Sequence, residues 1–145
     1  MLDVLRLMFD FAILSVLGLL QVAYYPSLKF FPRKELVTWF RNGAENIVWI
    51  IVLLAPGQLV ISGLQLLEKI SFYTVCSFVS IVLMWAYTLQ FTIRFYRKII
   101  AGAENAHEMA VKLLVANRLR IVVYTVLFSW TLSRLWHKYP FQTVP

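Results

Sequence analysis

Four long apolar stretches constrain the fold of this chain more than any other feature. They run over residues 5–25, 47–67, 72–93 and 113–136. A helix needs about 20 residues to cross the hydrocarbon core of a membrane, so each stretch is long enough to span it. The charged fraction is 14%, whereas a soluble domain has about 25%. The sequence therefore predicts an all-α integral membrane protein, one domain over residues 1–145, folded as an antiparallel four-helix bundle.

The cations are distributed unevenly between the two ends of this predicted bundle. The end with the two long connections carries Lys29, Arg33, Lys34, Arg41, Arg94, Arg97, Lys98, Lys112, Arg118 and Arg120. The opposite end carries Arg6, Lys69, Arg134 and Lys138. Because Lys and Arg favour the cytoplasmic side of a membrane, we expect the long connections inside and both termini outside. The expected location is the bacterial inner membrane, as a multi-pass protein, with the cations against anionic headgroups rather than nucleic acid.

The segment between the first two spans, PRKELVTWFRNGAE at residues 32–45, is amphipathic. Pro32 stands where a proline commonly begins a helix. Apolar and basic side chains share the segment, which predicts a short helix lying in the cytoplasmic interface. The same surface could instead dock a membrane-protein partner or a second copy of the chain. Its residues are Arg33, Lys34, Trp39, Phe40 and Arg41.

Each predicted span carries hydrogen-bonding side chains near its cytoplasmic end. The set is Gln21, Tyr24, Tyr25, Glu45, Asn46, Gln90, Arg94, Asn117 and Arg120. Asn117 and Arg120 are three residues apart and share a helix face, which points Arg118 elsewhere. Because polar groups are costly in lipid, we expect the set to meet at one depth. It could serve as an interhelical network that holds the helices together, as a pocket for a headgroup or small ligand, or as a catalytic site.

Two further polar features lie inside the predicted spans. Arg6 and Asp10 can pair at i,i+4 near the outer interface, either as a structural ion pair or as a contact for a proton or ligand. Pro56-Gly57-Gln58 predicts an interruption of the second span. Broken helices can mark transport sites, and the alternative is a packing role. Trp85 lies near the middle of the third span, away from the interfaces where tryptophan usually collects.

Several kinds of chemistry are disfavoured. Cys76 is the only cysteine, so no intramolecular disulfide can form. His107 and His137 fall on opposite sides of the predicted membrane, which argues against a bis-histidine haem. The sequence holds no cluster with metal-ligand spacing and no nucleotide-binding or hydrolase motif. We therefore expect no metal, no cofactor and no catalytic residue.

Short motifs resemble a known group of proteins. Gln21 with Tyr25-Pro26 closes the first span, Trp85 and Thr88 lie in the third, and Asn117-Arg118-Leu119-Arg120 opens the fourth. This layout resembles uncharacterised bacterial four-helix membrane proteins of the DUF1772 or anthrone-oxygenase-like group. The resemblance implies the same fold, with Gln21, Tyr25, Pro26, Asn117 and Arg120 matching the pattern. RNGAEN at residues 41–46 stands where histidine is expected, which argues against a metal or oxygenase role.

The expected function is non-catalytic. The chain would be an accessory or structural subunit, or would bind lipid or another hydrophobic small molecule at the cytoplasmic leaflet. Two alternatives remain at this point. One is an oxidoreductase or oxygenase-like membrane enzyme that acts on a quinone or aromatic substrate. The other is a small transporter made of several copies.

Overall fold

The structure, a computed structural model, describes residues 1–102 and 104–138, and this part of the chain is helical with no strand. The α-helices are α1 Leu2–Leu19, α2 Tyr25–Ser27, α3 Arg33–Glu68, α4 Phe72–Tyr87, α5 Ile93–Ile100 and α6 Ala106–Lys138. Helix α1 packs between α3 and α6, α4 packs mainly against α3, and α5 packs against α6. The predicted all-α class is confirmed.

Within residues 1–102 and 104–138, three segments are long and apolar enough to cross a membrane. They are Leu2–Ser27, Trp49–Glu68 and Phe72–Ile100, and they coincide with the first three predicted spans. The fourth predicted span, 113–136, lies within α6, a helix of 33 residues that is not one of these three. Helix α6 contributes several buried polar side chains, which define the sites described below.

The predicted interfacial helix does not exist as a separate element. Residues 33–68 form one continuous helix, α3, 36 residues long. Leu36 and Phe40 are 0% and 1% exposed because they pack into a cluster with residues of α5 and α6. This burial packs the segment against α5 and α6, and the prediction that it forms a separate short helix is wrong.

Helix α3 also runs through Pro56 without a break. A Cβ atom on Gly57 would overlap the ring of Phe9 in α1. Glycine therefore lets the two helices approach closely at this point, as small residues do in membrane helix pairs. The Pro56-Gly57 pair does not interrupt the span, and the contact with Phe9 favours the packing role over the transport role.

Two π-helical turns extend α1 and α4 at the same end of the molecule. They comprise Leu20–Tyr24 and Thr88–Thr92. The backbone N–H of Tyr25 donates to the carbonyl of Leu20, and that of Ile93 donates to Thr88, each five residues back. A π turn inserts one extra residue and changes the direction of the side chains around it, and such turns are frequent at functional sites.

The connections agree with the predicted order of the helices. Residues 69–71 join α3 to α4, which begins with a reciprocal cap. The Ser71 backbone N–H donates to Thr74 Oγ1 at 2.9 Å, and the Thr74 N–H donates to Ser71 Oγ at 3.3 Å. This cap satisfies two backbone donors at the start of α4. Gly102, with φ of 74°, ends the α5 segment in a left-handed conformation that glycine adopts without strain.

Replacing Gly57 by alanine should destabilise the protein. The new methyl group would displace the Phe9 ring and push α1 away from α3, at a cost of about 1–3 kcal/mol. Thermal unfolding in mild detergent, followed by circular dichroism, measures the change.

Gly18→Ala is the matched control, because a Cβ there meets no atom within 4 Å. This control should leave the protein as stable as the wild type or make it slightly more stable, since alanine favours a helix over glycine. Equal melting temperatures for Gly57→Ala and Gly18→Ala would contradict the close approach of α1 and α3.

Candidate functional site

Several polar side chains of this protein are buried, and many of its apolar side chains are exposed. Arg6 and Asp10 are fully buried, whereas Leu53, Leu83 and Val122 are 76%, 58% and 61% exposed. The buried polar residues are Arg6, Asp10, Gln58, Ser62, Gln65, Thr74, Ser77, Asn117, Arg120 and Thr131. Most of them belong to two clusters at different levels along the helices. We call these the carboxylate cluster and the arginine cluster.

The carboxylate cluster consists of Arg6, Asp10, Gln58, Gln65, Tyr73 and Thr131, and Asp10 is at its centre. Oδ1 of Asp10 accepts hydrogen bonds from Arg6 Nε at 2.8 Å and from Gln58 Nε2 at 2.6 Å. Oδ2 accepts a bond from Thr131 Oγ1 at 2.9 Å. The Tyr73 hydroxyl lies 2.8 Å from the same Thr131 oxygen. One carboxylate is thereby linked to α1, α3, α6 and, through Thr131, α4.

The cluster continues to the end of the molecule where both described chain ends lie. Arg6 Nη1 donates to Gln65 Oε1 at 3.5 Å, and Gln65 Nε2 donates to Asp3 Oδ1 at 2.9 Å. Lys138 Nζ is 2.9 Å from the other oxygen of Asp3, so the two ends of the described chain meet. The predicted pairing of Arg6 with Asp10 is confirmed. The pair is fully buried between helices rather than placed at an interface.

The sequence contained a signal for part of this cluster that the prediction missed. Gln58, Ser62 and Gln65 follow a spacing of four and three residues, which places them on one face of a helix. Asp3, Arg6 and Asp10 show the same pattern on α1. Two polar stripes in apolar helices could have been predicted to face each other. Thr131 on α6 is not part of a polar stripe at this spacing, so the sequence did not indicate its role.

The arginine cluster consists of Gln21, Tyr25, Asn117 and Arg120 at the other level. Asn117 Nδ2 donates to the Leu17 carbonyl at 2.9 Å and lies 3.0 Å from the Gln21 amide. With the Gln21 amide turned by 180°, its oxygen accepts from Arg118 Nε at 3.2 Å. Arg118 is exposed whereas Asn117 and Arg120 are buried, so it points away from their face as predicted, although its Nε comes close to the Gln21 amide.

Arg120 is the unusual member of this cluster. It is 3% exposed and faces the Tyr25 hydroxyl. Its Nε and Nη2 atoms are buried and have no hydrogen-bond partner. The ion pairs among the described side chains are Arg6–Asp10, Lys112–Glu108 and Lys138–Asp3, and Arg120 takes part in none of them.

The other predicted members of the polar set are not part of the arginine cluster. Gln90 and Arg94 are exposed. Gln90 lies within the second π turn, where side-chain directions depart from the regular helical period used for the prediction. The Tyr24 ring packs on Trp39, with centroids 4.7 Å apart. The side chains of Glu45 and Asn46 lie outside the described part of the structure, as does that of Arg33.

The predicted partner surface is only partly accessible. Phe40 is buried and packs edge-on against Tyr96, with ring centroids 5.2 Å apart. Trp39 is half-buried beside Tyr24, and Arg41 Nη2 donates to the Ile100 carbonyl at 3.3 Å. Lys34 is exposed. The assignment of Phe40 to a docking surface is wrong, because this ring is needed to join α3 to α5.

A basic groove is the third candidate site. Arg94, Arg97 and Lys98 line it together with apolar residues of the same segment, and it encloses about 450 Å³. All three cations are exposed. The apolar part consists of Leu89, Ile93 and Ala101. Cations and apolar groups thus lie side by side, which suits the boundary between lipid headgroups and acyl chains.

Helix α6 also carries an ion pair in its first turns and two histidines. Lys112 Nζ lies 2.6 Å from Glu108 Oε1, four residues earlier on α6, and this bond lowers the pKa of Glu108. His107 and His137 stand 30 residues apart on α6, or about 45 Å along a helix. No three His, Cys, Asp or Glu side chains converge on a possible metal site within residues 1–102 and 104–138.

Comparison with known proteins does not place the chain in a family. No family model matches it, and neither the curated proteins nor the solved structures provide a match. The resemblance to the anthrone-oxygenase-like group stays a prediction. The function must therefore be argued from the three sites themselves.

Removing the Asp10 carboxylate should be strongly destabilising. Asp10→Ala would leave Arg6 charged, buried and without its partner, at a cost of about 3–5 kcal/mol. The measurement is thermal unfolding of the purified protein in mild detergent.

The double variant Arg6→Met/Asp10→Leu separates the ion pair from simple packing. It removes both charges together, so it should lose much less stability than Asp10→Ala, since a buried pair can often be replaced by apolar residues at little cost. If the double variant instead loses the sum of the two single losses, Arg6 and Asp10 do not act as a pair.

Proposed function

We propose that this chain is an integral membrane protein, a four-helix bundle that binds anionic phospholipid headgroups in its basic groove. It would act without catalysis, as an accessory or structural component of the bacterial inner membrane. The observation that carries the lipid-binding role is the groove of Arg94, Arg97 and Lys98 beside exposed apolar residues.

The distribution of polar residues supports lipid as the solvent. Burying Arg6, Asp10 and Arg120 while exposing leucine and valine side chains would be unfavourable in water. In a bilayer the same arrangement is favourable, because polar groups find partners inside and apolar groups face the acyl chains. Helix α6 would serve as the fourth span, since it packs along α1 over much of its length.

The distribution of cations supports the orientation. Both long connections lie at one end with the groove, and Lys138 meets Asp3 at the other. With the positive-inside rule, the groove lies at the cytoplasmic leaflet and both termini lie outside the cytoplasm. This leaflet carries the anionic lipids that basic residues attract.

The groove itself supports the ligand class. Three exposed cations within five residues of α5 can contact a phosphate group at once. Leu89 and Ile93 lie on the membrane side of these cations, where the acyl chains of the same lipid would run. Helix α3 passes through Pro56 without a break, so the feature that suggested a transporter no longer favours it.

The orientation predicts the behaviour of C-terminal reporter fusions in bacteria. Alkaline phosphatase, which is active only outside the cytoplasm, should be active when fused after Pro145. Green fluorescent protein fluoresces when it folds in the cytoplasm but not when it is exported as an unfolded chain, so it should be dark there. The reverse pattern would contradict both the orientation and the cytoplasmic location of the groove.

The lipid-binding role predicts a loss of affinity when the groove loses its charge. Arg97→Gln/Lys98→Gln should weaken the binding of phosphatidylglycerol about 30-fold, from about 1 kcal/mol for each cation near the surface. The measurement is the binding of fluorescent phosphatidylglycerol to variant and wild-type protein in nanodiscs. It is made at low salt and at 0.5 M salt, where screening should reduce the difference between the two proteins.

Lys34→Gln/Lys69→Gln is the charge-matched control, because both lysines are exposed and neither lines the groove. This variant should bind almost as well as the wild type. An equal loss in both double variants would mean that net charge, rather than the groove, attracts the lipid.

A further inference from the structure

The rise of the helices brings Trp85 on α4 to about the level of the arginine cluster, and the proposed lipid groove does not use this residue. Tyr73 and Thr131 are hydrogen-bonded between the antiparallel helices α4 and α6. Trp85 comes twelve residues after Tyr73, and Leu119 comes twelve residues before Thr131, so both lie about 18 Å from that bond. Trp85 is therefore level with Arg120, and it packs against the apolar cluster that contains Tyr124.

Four buried polar atoms at this level have no hydrogen-bond partner. They are Trp85 Nε1, Asn117 Oδ1, Arg120 Nε and Arg120 Nη2. Native proteins leave few buried polar groups unpaired, and each such group calls for an explanation. Asn117 and Arg120 are 0% and 3% exposed, so bulk water does not supply the partner.

The chemistry of these atoms specifies their complement. Three of the four are donors, and two of the donors belong to one guanidinium group. A buried cation is costly unless an anion accompanies it. Arginine presents two parallel N–H groups that match the two oxygens of a carboxylate. The indole N–H of Trp85 adds a third donor from the opposite helix.

We propose that Arg120, Trp85 and Asn117 form a binding site for the carboxylate of a fatty-acid-like amphiphile. The carboxylate accepts from Arg120 and Trp85, and the Asn117 oxygen accepts from a hydroxyl group of the ligand or from a water molecule that accompanies it. The acyl chain lies in the membrane along exposed apolar residues of α4 and α6. Leu83 on α4, Phe91 in the π turn that follows it, and Leu119 and Val122 on α6 supply that surface.

This site is independent of the phospholipid groove. The two sites share no residue, and Arg120 is buried whereas Arg94, Arg97 and Lys98 are exposed. A fully buried guanidinium suits a small headgroup on a single chain, while the open groove suits the larger phosphodiester. Either proposal can therefore fail without the other.

The test measures binding of radiolabelled oleate to the protein in nanodiscs by equilibrium dialysis. Wild-type protein should bind one oleate per chain, and Arg120→Met should weaken this binding at least ten-fold. Trp85→Phe, which removes only the indole donor, should weaken it several-fold. Arg120→Met keeps the length of the side chain and removes an unpaired buried charge, so its melting temperature should not fall.

Lys34→Met is the matched control, because it removes one cation from an exposed position. It should bind oleate as the wild type does. Oleyl alcohol and oleyl phosphate test the headgroup with a constant chain, and both should bind at least ten-fold more weakly than oleate.

Three results would overturn the proposal. The first is absence of saturable oleate binding by the wild type, which would leave only water at these atoms. The second is unchanged binding by Arg120→Met. The third is stronger binding of oleyl phosphate or oleyl alcohol than of oleate, which would exclude a carboxylate as the preferred group. A lower melting temperature of Arg120→Met with unchanged binding would assign Arg120 a structural role.

Discussion

The Asp10 carboxylate is the interaction on which the arrangement of helices depends. It accepts hydrogen bonds from Arg6 on its own helix, from Gln58 on α3 and from Thr131 on α6, at 2.8, 2.6 and 2.9 Å. Tyr73 adds α4 through Thr131. Apolar helix surfaces can pack against each other in several registers of similar energy. Directional hydrogen bonds to one buried charge select a single register among them.

The two polar levels differ in how their arginines are neutralised. Arg6 has the carboxylate of Asp10 beside it, so the carboxylate cluster is electrically complete. Arg120 faces the Tyr25 hydroxyl, and none of the ion pairs among the described side chains includes it. Both levels keep unpaired polar atoms, among them Arg6 Nη2 and Gln58 Oε1 at the first and Arg120 Nε and Nη2 at the second. The second level differs in that its arginine has no carboxylate partner among the described side chains, and it lies next to the π turns Leu20–Tyr24 and Thr88–Thr92.

Reasoning from the sequence succeeded where one physical property decides the outcome. Helix length and hydropathy located the first three apolar segments, and the i,i+4 spacing identified the Arg6–Asp10 pair. It failed where an outcome depends on several elements at once. Phe40 looked like an interfacial anchor, but α5 and α6 cover it. Gln90 looked level with Asn117, but it lies exposed within a π turn.

The sequence by itself determined the helical class, the positions of the apolar segments and the concentration of cations at one end. These follow from local composition and from the periodicity of the helix. Only the tertiary structure decided that Asp10 meets Gln58 and Thr131, that Arg120 is buried facing Tyr25, and that Phe40 is internal. Contacts between side chains 48 to 121 residues apart depend on how helices rotate and slide against each other. A linear pattern does not encode those rotations, so which polar groups become partners is known only after the helices have packed.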